Sequence, residues 1–250
     1  MNKKILITGA SSGFGKAIAE KFAASGDHLI ITGRRANRLE ALASQLRSCY
    51  QVKVLVKVFD IQDRKAVFEA LEQEPFLEDI DVLVNNAGLA LGRDHFDEAS
   101  LDDWETMIDT NLKGLLYVSK AVIPYMKKRG AGHIINVGST AGKEVYEKGN
   151  VYCATKHAVE SVSQSMRIGL LKHRIKVTVV HPGAAETEFS LVRFKGDEQV
   201  AKTVYEGYTP LQAEDIANTV HYCSSLPEHV CINSVVMTCL SQANSFYLHR

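Results

Sequence analysis

Short apolar segments alternate with helical patterns along the 250-residue chain, and this alternation constrains the fold more than any other feature. Seven segments are predicted to be strands: 4–8, 28–32, 53–58, 81–84, 132–137, 176–180 and 234–238. Helical spacing of apolar residues fills most of the intervals between them. Strands that alternate with helices form a parallel sheet with helices on both faces. We therefore predict a single α/β domain over residues 1–250 with a doubly wound, seven-stranded parallel sheet.

The residues that follow the predicted strands are polar or glycine, and they are expected to meet at one edge of the sheet. Right-handed crossovers place the carboxyl end of every parallel strand on the same edge. Ligands of open parallel sheets bind at that edge. The residues predicted to converge there are the glycine turn 9–15, Arg34, Asp60, Asn85, Ser139 and Pro182.

The turn Gly9-Ala-Ser-Ser-Gly13-Phe-Gly15 lies between the first predicted strand and a helix marked by Phe14, Ile18 and Phe22. Glycines there let the backbone approach a phosphate, whose charge the helix N-terminus favours. The spacing differs from the Gly-x-Gly-x-x-Gly of other dinucleotide-binding domains. Because any turn between a strand and a helix can use glycine, the turn alone does not identify a nucleotide site.

Arg34 and Arg35 follow the second predicted strand, and no acidic residue accompanies them. In a dinucleotide fold an acid at this point suits the ribose of NAD, whereas an arginine suits the 2′-phosphate of NADP. A guanidinium binds phosphate through paired, charge-assisted hydrogen bonds. The alternative is a solvated basic turn. Given the fold, the pair predicts NADP(H) as the cofactor.

Tyr152 and Lys156 are four residues apart in a segment predicted to be helical, so their side chains share a face. A nearby ammonium favours the ionised form of a phenol, and we expect Lys156, helped by a cationic cofactor, to lower the pKa of Tyr152. Such a tyrosine can serve as a general acid or base. The alternative is a tyrosine and a lysine on an ordinary amphipathic helix.

Charge and cysteine content exclude several classes of function. The 29 Lys and Arg residues balance the 29 Asp and Glu residues, so no net field attracts nucleic acid or an anionic membrane. No apolar segment approaches the length of a membrane span, and the run 5–7 is too short for a signal peptide. The five cysteines are scattered and lack the spacing of a metal site, so we expect a reduced, cytoplasmic protein without metal.

Taken together, the motifs resemble the short-chain dehydrogenase/reductase family over essentially the whole chain. They occur in that family's order as Thr8-Gly-x-x-x-Gly-x-Gly15, Asn85-Asn-Ala-Gly88, Asn111, Ser139, Tyr152-x-x-x-Lys156 and Pro182-Gly183. The resemblance implies a Rossmann-like fold with four catalytic residues. Tyr152 would exchange the proton, and Lys156 would hold the nicotinamide ribose. Ser139 would bond the reacting carbonyl, and Asn111 would help to relay protons.

The resemblance also implies which residues bind the cofactor. Asp60 and Ile61 would contact the adenine, and Thr187 would contact the carboxamide. The complete predicted set is Gly9, Ser11, Ser12, Gly13, Phe14, Gly15, Arg34, Arg35, Asp60, Ile61, Asn86, Ala87, Gly88, Tyr152, Lys156, Pro182, Gly183 and Thr187.

Within the family, segments 86–92, 103–111 and 187–197 are similar to NADP-dependent 3-hydroxy acid dehydrogenases, which include serine and allo-threonine dehydrogenases. Sulfoacetaldehyde reductases are a related alternative. The similarity implies a small anionic hydroxy acid or aldehyde as substrate, and a homotetramer. A catalytically inactive NADP-binding regulator is the alternative of another class, although such proteins tend to lose part of the Ser, Tyr and Lys set.

Four residues are candidates for substrate contact: Ser139, Glu144, Tyr152 and Arg193. Arg193 is the expected anchor for an anionic group, and the alternative is a solvated arginine. Lys143 and Glu144 are charged where an apolar pocket wall is expected. Segment 187–207, polar and irregular, is predicted to be a mobile substrate cover. The tail 240–250 is predicted to dock on a neighbouring subunit.

Overall fold

The computed structural model describes residues 2–250. Seven strands in this range form one parallel sheet. Its strand order is β3-β2-β1-β4-β5-β6-β7. The strands are β1 Lys4–Ile7, β2 His28–Gly33, β3 Val54–Val58, β4 Val82–Asn85, β5 Gly132–Val137, β6 Ile175–Pro182 and β7 Ser234–Met237. From the inner strand β1 the chain adds β2 and β3 on one side. It then crosses back and adds β4 to β7 on the other side. The predicted fold class is confirmed.

Nine α-helices are found among residues 2–250, and most of them connect the strands. They are α1 Gly13–Ala24, α2 Ala36–Tyr50, α3 Arg64–Leu71, α4 Leu101–Ile108, α5 Leu115–Arg129, α6 Asn150–Leu170, α7 Glu188–Arg193, α8 Glu198–Thr203 and α9 Ala213–Ser225. Short 3-10 turns cover Pro75–Asp79, Thr140–Gly142 and Leu171–His173.

Two apolar cores lie on opposite faces of the sheet because successive strand residues point to opposite sides. Ile5 and Ile7 of β1 pack with α1, α2 and α9, whereas Leu6 packs with α3, α5 and the end of α6. All three side chains are fully buried. Burial of each such side chain stabilises the fold by roughly 1.5–3 kcal/mol. The sheet is thereby a rigid support for the edge that carries the site.

Two sequence predictions differ from the observed elements. The single helix expected over 101–128 is interrupted by a π-helical turn, Asp109–Gly114, which contains Asn111. The prediction of irregular structure over 187–207 is wrong, because α7 and α8 form there. Their N-caps are Thr187, which accepts a hydrogen bond from Phe189, and Asp197, which accepts one from Val200.

The tail after β7 folds back onto its own chain. The Gln242 side chain accepts a hydrogen bond from the Ala184 amide at 2.7 Å, and the Glu144 carboxylate accepts one from the Ser245 amide at 2.9 Å. Leu240, Phe246 and Tyr247 remain exposed. Among residues 2–250, no helix combines the length and the apolar character that crossing a membrane requires.

Candidate active site

A cleft crosses the carboxyl edge of the sheet, and most of the predicted cofactor residues line it. The lining residues from the predicted set are Gly9, Ser11, Ser12, Gly13, Phe14, Arg34, Arg35, Asp60, Ile61, Asn86, Ala87, Gly88, Tyr152, Lys156 and Thr187. The cover contributes Glu188, Phe189 and Val192 to the same cleft. The topology thus brings together residues that are far apart in the sequence.

The glycine turn approaches the loop after β4 so closely that side chains do not fit. Gly9 and Gly13 have φ angles of +67° and +50°, which favour glycine. A Cβ on Gly15 would lie 2.3 Å from the Gly9 carbonyl oxygen and 2.5 Å from Asn86 Nδ2. Gly15 therefore supports the turn from behind the cleft.

The start of α1 is suited to an anion. Ser12 occupies the N-cap position, yet its side chain forms no capping hydrogen bond within the described residues. Its hydroxyl instead accepts a hydrogen bond from Arg35. The first amides of α1 are consequently available for a phosphate group, and the contact itself stays a prediction.

The arginines after β2 form a cationic cluster beside this turn. Arg35 donates to Ser11 Oγ at 3.0 Å and to Glu188 Oε2 at 2.9 Å, while Arg38 donates to Glu188 Oε1 at 2.6 Å. Arg34 lies 3.5 Å from Asp60. Burial tends to raise the pKa of Glu188, but hydrogen bonds from the two arginines lower it overall. The cluster has the donors that a phosphate monoester requires.

Tyr152 and Lys156 line the cleft, and the Ser139 side chain lies within hydrogen-bond reach of Tyr152. Lys156 Nζ donates to the Val137 carbonyl at 3.0 Å and lies 5.9 Å from the Tyr152 ring centroid. Ser139 follows β5, and its hydroxyl caps the next 3-10 turn by accepting from the Ala141 amide. Ser139 and Tyr152 can therefore reach the same small carbonyl group, with Lys156 beside the tyrosine.

The expected lowering of the Tyr152 pKa is not observed. Burial raises the pKa of Tyr152, with Tyr146 acting in the same direction, while Ser139 and Arg193 oppose the rise. Burial also lowers the pKa of Lys156 to about 8. The lysine charge alone favours the ionised phenol, but the desolvation of the phenol and of the ammonium has the larger effect. The phenol is consequently neutral and able to donate its proton.

Asn111 holds the loop after β4. Its Oδ1 accepts from the Leu89 amide at 2.8 Å, and its Nδ2 donates to the Leu89 carbonyl at 2.8 Å and to Thr155 Oγ1 at 3.1 Å. The π-helical turn places Asn111 at this loop while Gly114 packs against Ile61, where a Cβ would lie 2.7 Å from the isoleucine. These contacts fix Gly88 near Lys156.

Arg193, at the end of α7, brings a positive charge next to Tyr152. Its guanidinium carbon lies 5.8 Å from the Tyr152 ring centroid and 5.6 Å from that of Tyr146. It donates to Tyr146 Oη at 2.9 Å and to the Gly92 carbonyl at 3.2 Å. The alternative of a solvated arginine is thus not supported, because the side chain is half-buried and held from two sides.

Other predicted residues lie outside the cleft lining. Pro182 is buried at the end of β6, and Gly183 is covered by the tail, since a Cβ there would lie 2.2 Å from Gln242 Oε1. Glu144 binds the tail through Ser245. Lys143 lies 3.1 Å from Glu160, so the charged pair 143–144 serves contacts within the fold.

Sequence reasoning missed Arg38, Tyr146, Glu188 and Phe189. Arg38 could have been found, because it lies one helical turn after Arg34 and Arg35. Phe189, whose ring centroid lies 5.7 Å from that of Tyr152, follows the predicted Thr187 by two residues. No local signal marks Tyr146 or Glu188, whose partners are distant in sequence.

Comparisons with known proteins agree with this geometry. Residues 3–197 match the sequence model of a family described as short chain dehydrogenase. The NADP-dependent 3-hydroxy acid dehydrogenase YdfG of Salmonella typhi is 48% identical over 241 residues, which cover 96% of each protein. Sulfoacetaldehyde reductase 2 of Chromohalobacter salexigens is 44% identical over 249 residues, which cover 99% of this chain and 98% of the other. The closed form of serine dehydrogenase complexed with NADP+ superposes with a TM-score of 0.92 at 43% identity, covering 99% of both chains.

Proposed function

Since this chain belongs to the short chain dehydrogenase family, we propose that it is an NADP-dependent oxidoreductase that interconverts a small anionic hydroxy acid and the corresponding aldehyde or keto acid. Relatives named for 3-hydroxy acids, serine and sulfoacetaldehyde support this range of substrates. The choice among these compounds belongs to the proposal.

The cleft fits NADP(H). The glycine turn and the first amides of α1 suit the pyrophosphate, and the arginine cluster suits the 2′-phosphate. Asp60 and Ile61 line the part of the cleft assigned to the adenine. When bound, NADPH supplies hydride to the carbonyl carbon of the substrate.

The protein residues supply the proton and the orientation. Ser139 donates a hydrogen bond to the substrate carbonyl oxygen, and the neutral Tyr152 phenol delivers its proton to the same oxygen. Lys156 holds the Val137 carbonyl and can bond the ribose of the cofactor. Asn111 holds the loop that carries Gly88, and its part in proton relay rests on the family resemblance.

The observation that carries the substrate proposal is the position of Arg193. Its guanidinium lies over the ring of the proposed proton donor, 5.8 Å from the centroid. A carboxylate or sulfonate bonded to this guanidinium would place its aldehyde or keto carbon within a few atoms of the phenol. A neutral substrate would leave a partly desolvated cation without a counter-ion, which is unfavourable.

The decisive experiment compares wild type, Tyr152→Phe and Tyr222→Phe by following NADPH absorbance. Its loss is measured with malonic semialdehyde and sulfoacetaldehyde, and its formation from NADP+ is measured with serine and allo-threonine. Tyr222 is an exposed tyrosine on α9 and serves as the matched control. We expect Tyr152→Phe to lower kcat by about 100-fold or more while NADPH affinity stays within about twofold. Tyr222→Phe should match wild type.

Three outcomes separate the candidate functions. Unchanged turnover in Tyr152→Phe contradicts the proposed chemistry. A wild-type protein that binds NADPH but turns over none of the compounds supports an inactive regulator. A guanidinium binds carboxylates and sulfonates alike, so kinetics must distinguish the two substrate classes. A preference for sulfoacetaldehyde over the carboxylates would favour the sulfoacetaldehyde reductase alternative.

A further inference from the structure

A buried histidine lies directly behind Ser139 and has no part in the proposed chemistry. His181 is the penultimate residue of β6, and its side chain has no exposed surface. Nδ1 lies 2.9 Å from the Ser139 carbonyl oxygen, and Nε2 lies 2.8 Å from Glu160 Oε2. Gly138 makes room for the ring, since a Cβ there would lie 2.6 Å from Nδ1.

Both partners of the ring are hydrogen-bond acceptors. Burial tends to raise the pKa of Glu160, but hydrogen bonds from Gln164, Lys143 and His181 lower it to about 2, so the group is a carboxylate. A carbonyl and a carboxylate cannot donate, and a neutral imidazole has a single N–H. Both contacts therefore form together only when His181 is protonated.

This contact completes a second link between α6 and the end of β5. Tyr152, Lys156 and Glu160 are spaced four residues apart, so they share one face of α6. Lys156 reaches the Val137 carbonyl directly, and Glu160 reaches the Ser139 carbonyl through His181. The two links join the helix that carries Tyr152 to the backbone that carries Ser139.

We propose that His181 is a positioning residue that, with Glu160, fixes the Ser139 backbone relative to Tyr152. The inference rests on the proposed function, because the Ser139 hydroxyl and the Tyr152 phenol must reach the same oxygen of the substrate. Lys143 neutralises the network from the protein surface, where it lies 3.1 Å from Glu160. This explains why a lysine follows the 3-10 turn at a position expected to be apolar.

The arrangement has a consequence for pH dependence. Glu160 of α6 and Lys143 of the loop after β5 are the charged groups that face His181, and its pairing neighbour on β7 is the apolar Val236. Burial and Lys143 lower the pKa of His181, whereas its bonds to Ser139 and Glu160 raise it, and burial prevails. As pH rises through this pKa, one of the two contacts is lost, so kcat should fall.

The test uses His181→Phe and Glu160→Gln, with the exposed His229→Phe as the matched control. Phenylalanine keeps a ring but removes both donors, so kcat should fall by about 10- to 100-fold while the NADPH dissociation constant stays within about twofold. In Glu160→Gln, the side-chain amide can donate to Nε2 of a neutral His181. The Nδ1–H of the same ring then donates to the Ser139 carbonyl. Glu160→Gln should therefore retain more of kcat than His181→Phe and lose the decline of kcat with pH.

A folded His181→Phe protein with wild-type kcat would overturn the proposal, as would a decline of kcat with rising pH below pH 6.5 that persists in Glu160→Gln. Nitrogen-15 NMR of the wild-type histidines supplies a readout that needs no substrate, with His181→Phe used for assignment. We expect both ring nitrogens of His181 to be protonated at low pH. A lone Nε2–H tautomer at every pH would contradict the inference even if the enzyme is active. A protonated ring in a protein that turns over no substrate would instead count against the proposed function alone.

Discussion

Arg193 is the single side chain on which the proposed substrate class depends. It is held by Tyr146 and by the Gly92 carbonyl, so its guanidinium is oriented before a substrate arrives. A cation that is already oriented loses little conformational freedom when it binds an anion. We therefore expect most of the selectivity for anionic substrates to depend on this residue.

Replacing Arg193 by Met should lower kcat/KM for the anionic substrate by about 10- to 100-fold, because a hydrogen bond to a charged group typically contributes about 1.5–3 kcal/mol. Lys202→Met, an exposed cation on α8, is the matched control. Steady-state kinetics with a neutral aldehyde of similar size should show little difference between the two variants. An equal loss for charged and neutral substrates would mean that Arg193 only supports the cover.

The buried Lys156 links the stability of the protein to pH. Its pKa is about 8 in the folded protein, against an ordinary value of 10.5, because burial disfavours the ammonium. Between these values the unfolded chain keeps a proton that the folded chain has released. The free energy of unfolding should therefore rise with pH in this window.

Urea unfolding of the cofactor-free protein should reveal this contribution when wild type is compared with Lys156→Met. From about pH 8 to about pH 9.5, wild type should gain roughly 2 kcal/mol relative to the variant. Other titrating groups cancel in the difference, provided that they are unaffected by the substitution. Parallel pH profiles for the two proteins would contradict a depressed lysine pKa.

Among the elements, the glycine turn and α1 meet the loop after β4 with no room for a further methyl group. Gly15 is the tightest point, and its environment consists of the Gly9 backbone and the Asn86 amide. Gly169, near the end of α6, is also helical, but nothing lies within 4 Å of its Cβ position. The two glycines therefore form a natural comparison.

Gly15→Ala should displace the turn, destabilise the protein by about 1–3 kcal/mol and weaken NADPH binding. Gly169→Ala should stabilise α6 by about 0.5–1 kcal/mol and leave binding unchanged, because alanine favours a helix more than glycine does. Thermal unfolding and NADPH titration of both variants test these expectations. If Gly15→Ala binds NADPH as tightly as wild type, the close contact of Gly15 with Gly9 and Asn86 is not needed for cofactor binding.

The elements differ in how far the sequence predicted them. Each strand is a run of apolar residues, so all seven could be located from the pattern, although their ends moved by a residue or two. The helices α7 and α8 have six residues each, too few to establish a periodic apolar face. Their N-caps, Thr187 and Asp197, were the available signals.

The site was predictable where its residues belong to local motifs. Tyr152 and Lys156 share one helix, and the glycine turn is continuous in sequence. The contacts of Glu188 with Arg35 and Arg38, and of Tyr146 with Arg193, join distant segments and follow only from the packing of the cover. The pKa of Tyr152 required its burial, which the sequence does not provide.

In the whole molecule, the tail after β7 presents apolar side chains at the surface. Leu240, Phe246 and Tyr247 are exposed, whereas Gln242 and Ser245 hold the tail against its own chain. The docking of this tail in a homotetramer stays a prediction. The exposed residues are those that a neighbouring subunit would cover.

The triple substitution Leu240→Gln, Phe246→Ser and Tyr247→Ser should shift the protein from the mass of a tetramer to a smaller species in size-exclusion chromatography with light scattering. The internal contacts of Gln242 and Ser245 are unchanged by these substitutions. Exposed Tyr222→Ser on α9 is the matched control. A triple variant with the wild-type mass would place the subunit contacts elsewhere.

The parallel arrangement of the strands separates the residues that maintain the fold from those proposed to select the substrate. Leu6 and Ile7 contribute to the cores on the two faces of the sheet. The cover is attached by polar links at its surface, including Lys195 with Asp103 and Glu188 with Arg35. Under the proposed function, mutations at the exposed positions of the cover would therefore change specificity during evolution while the hydrophobic framework, and with it the ability to fold, is inherited unchanged.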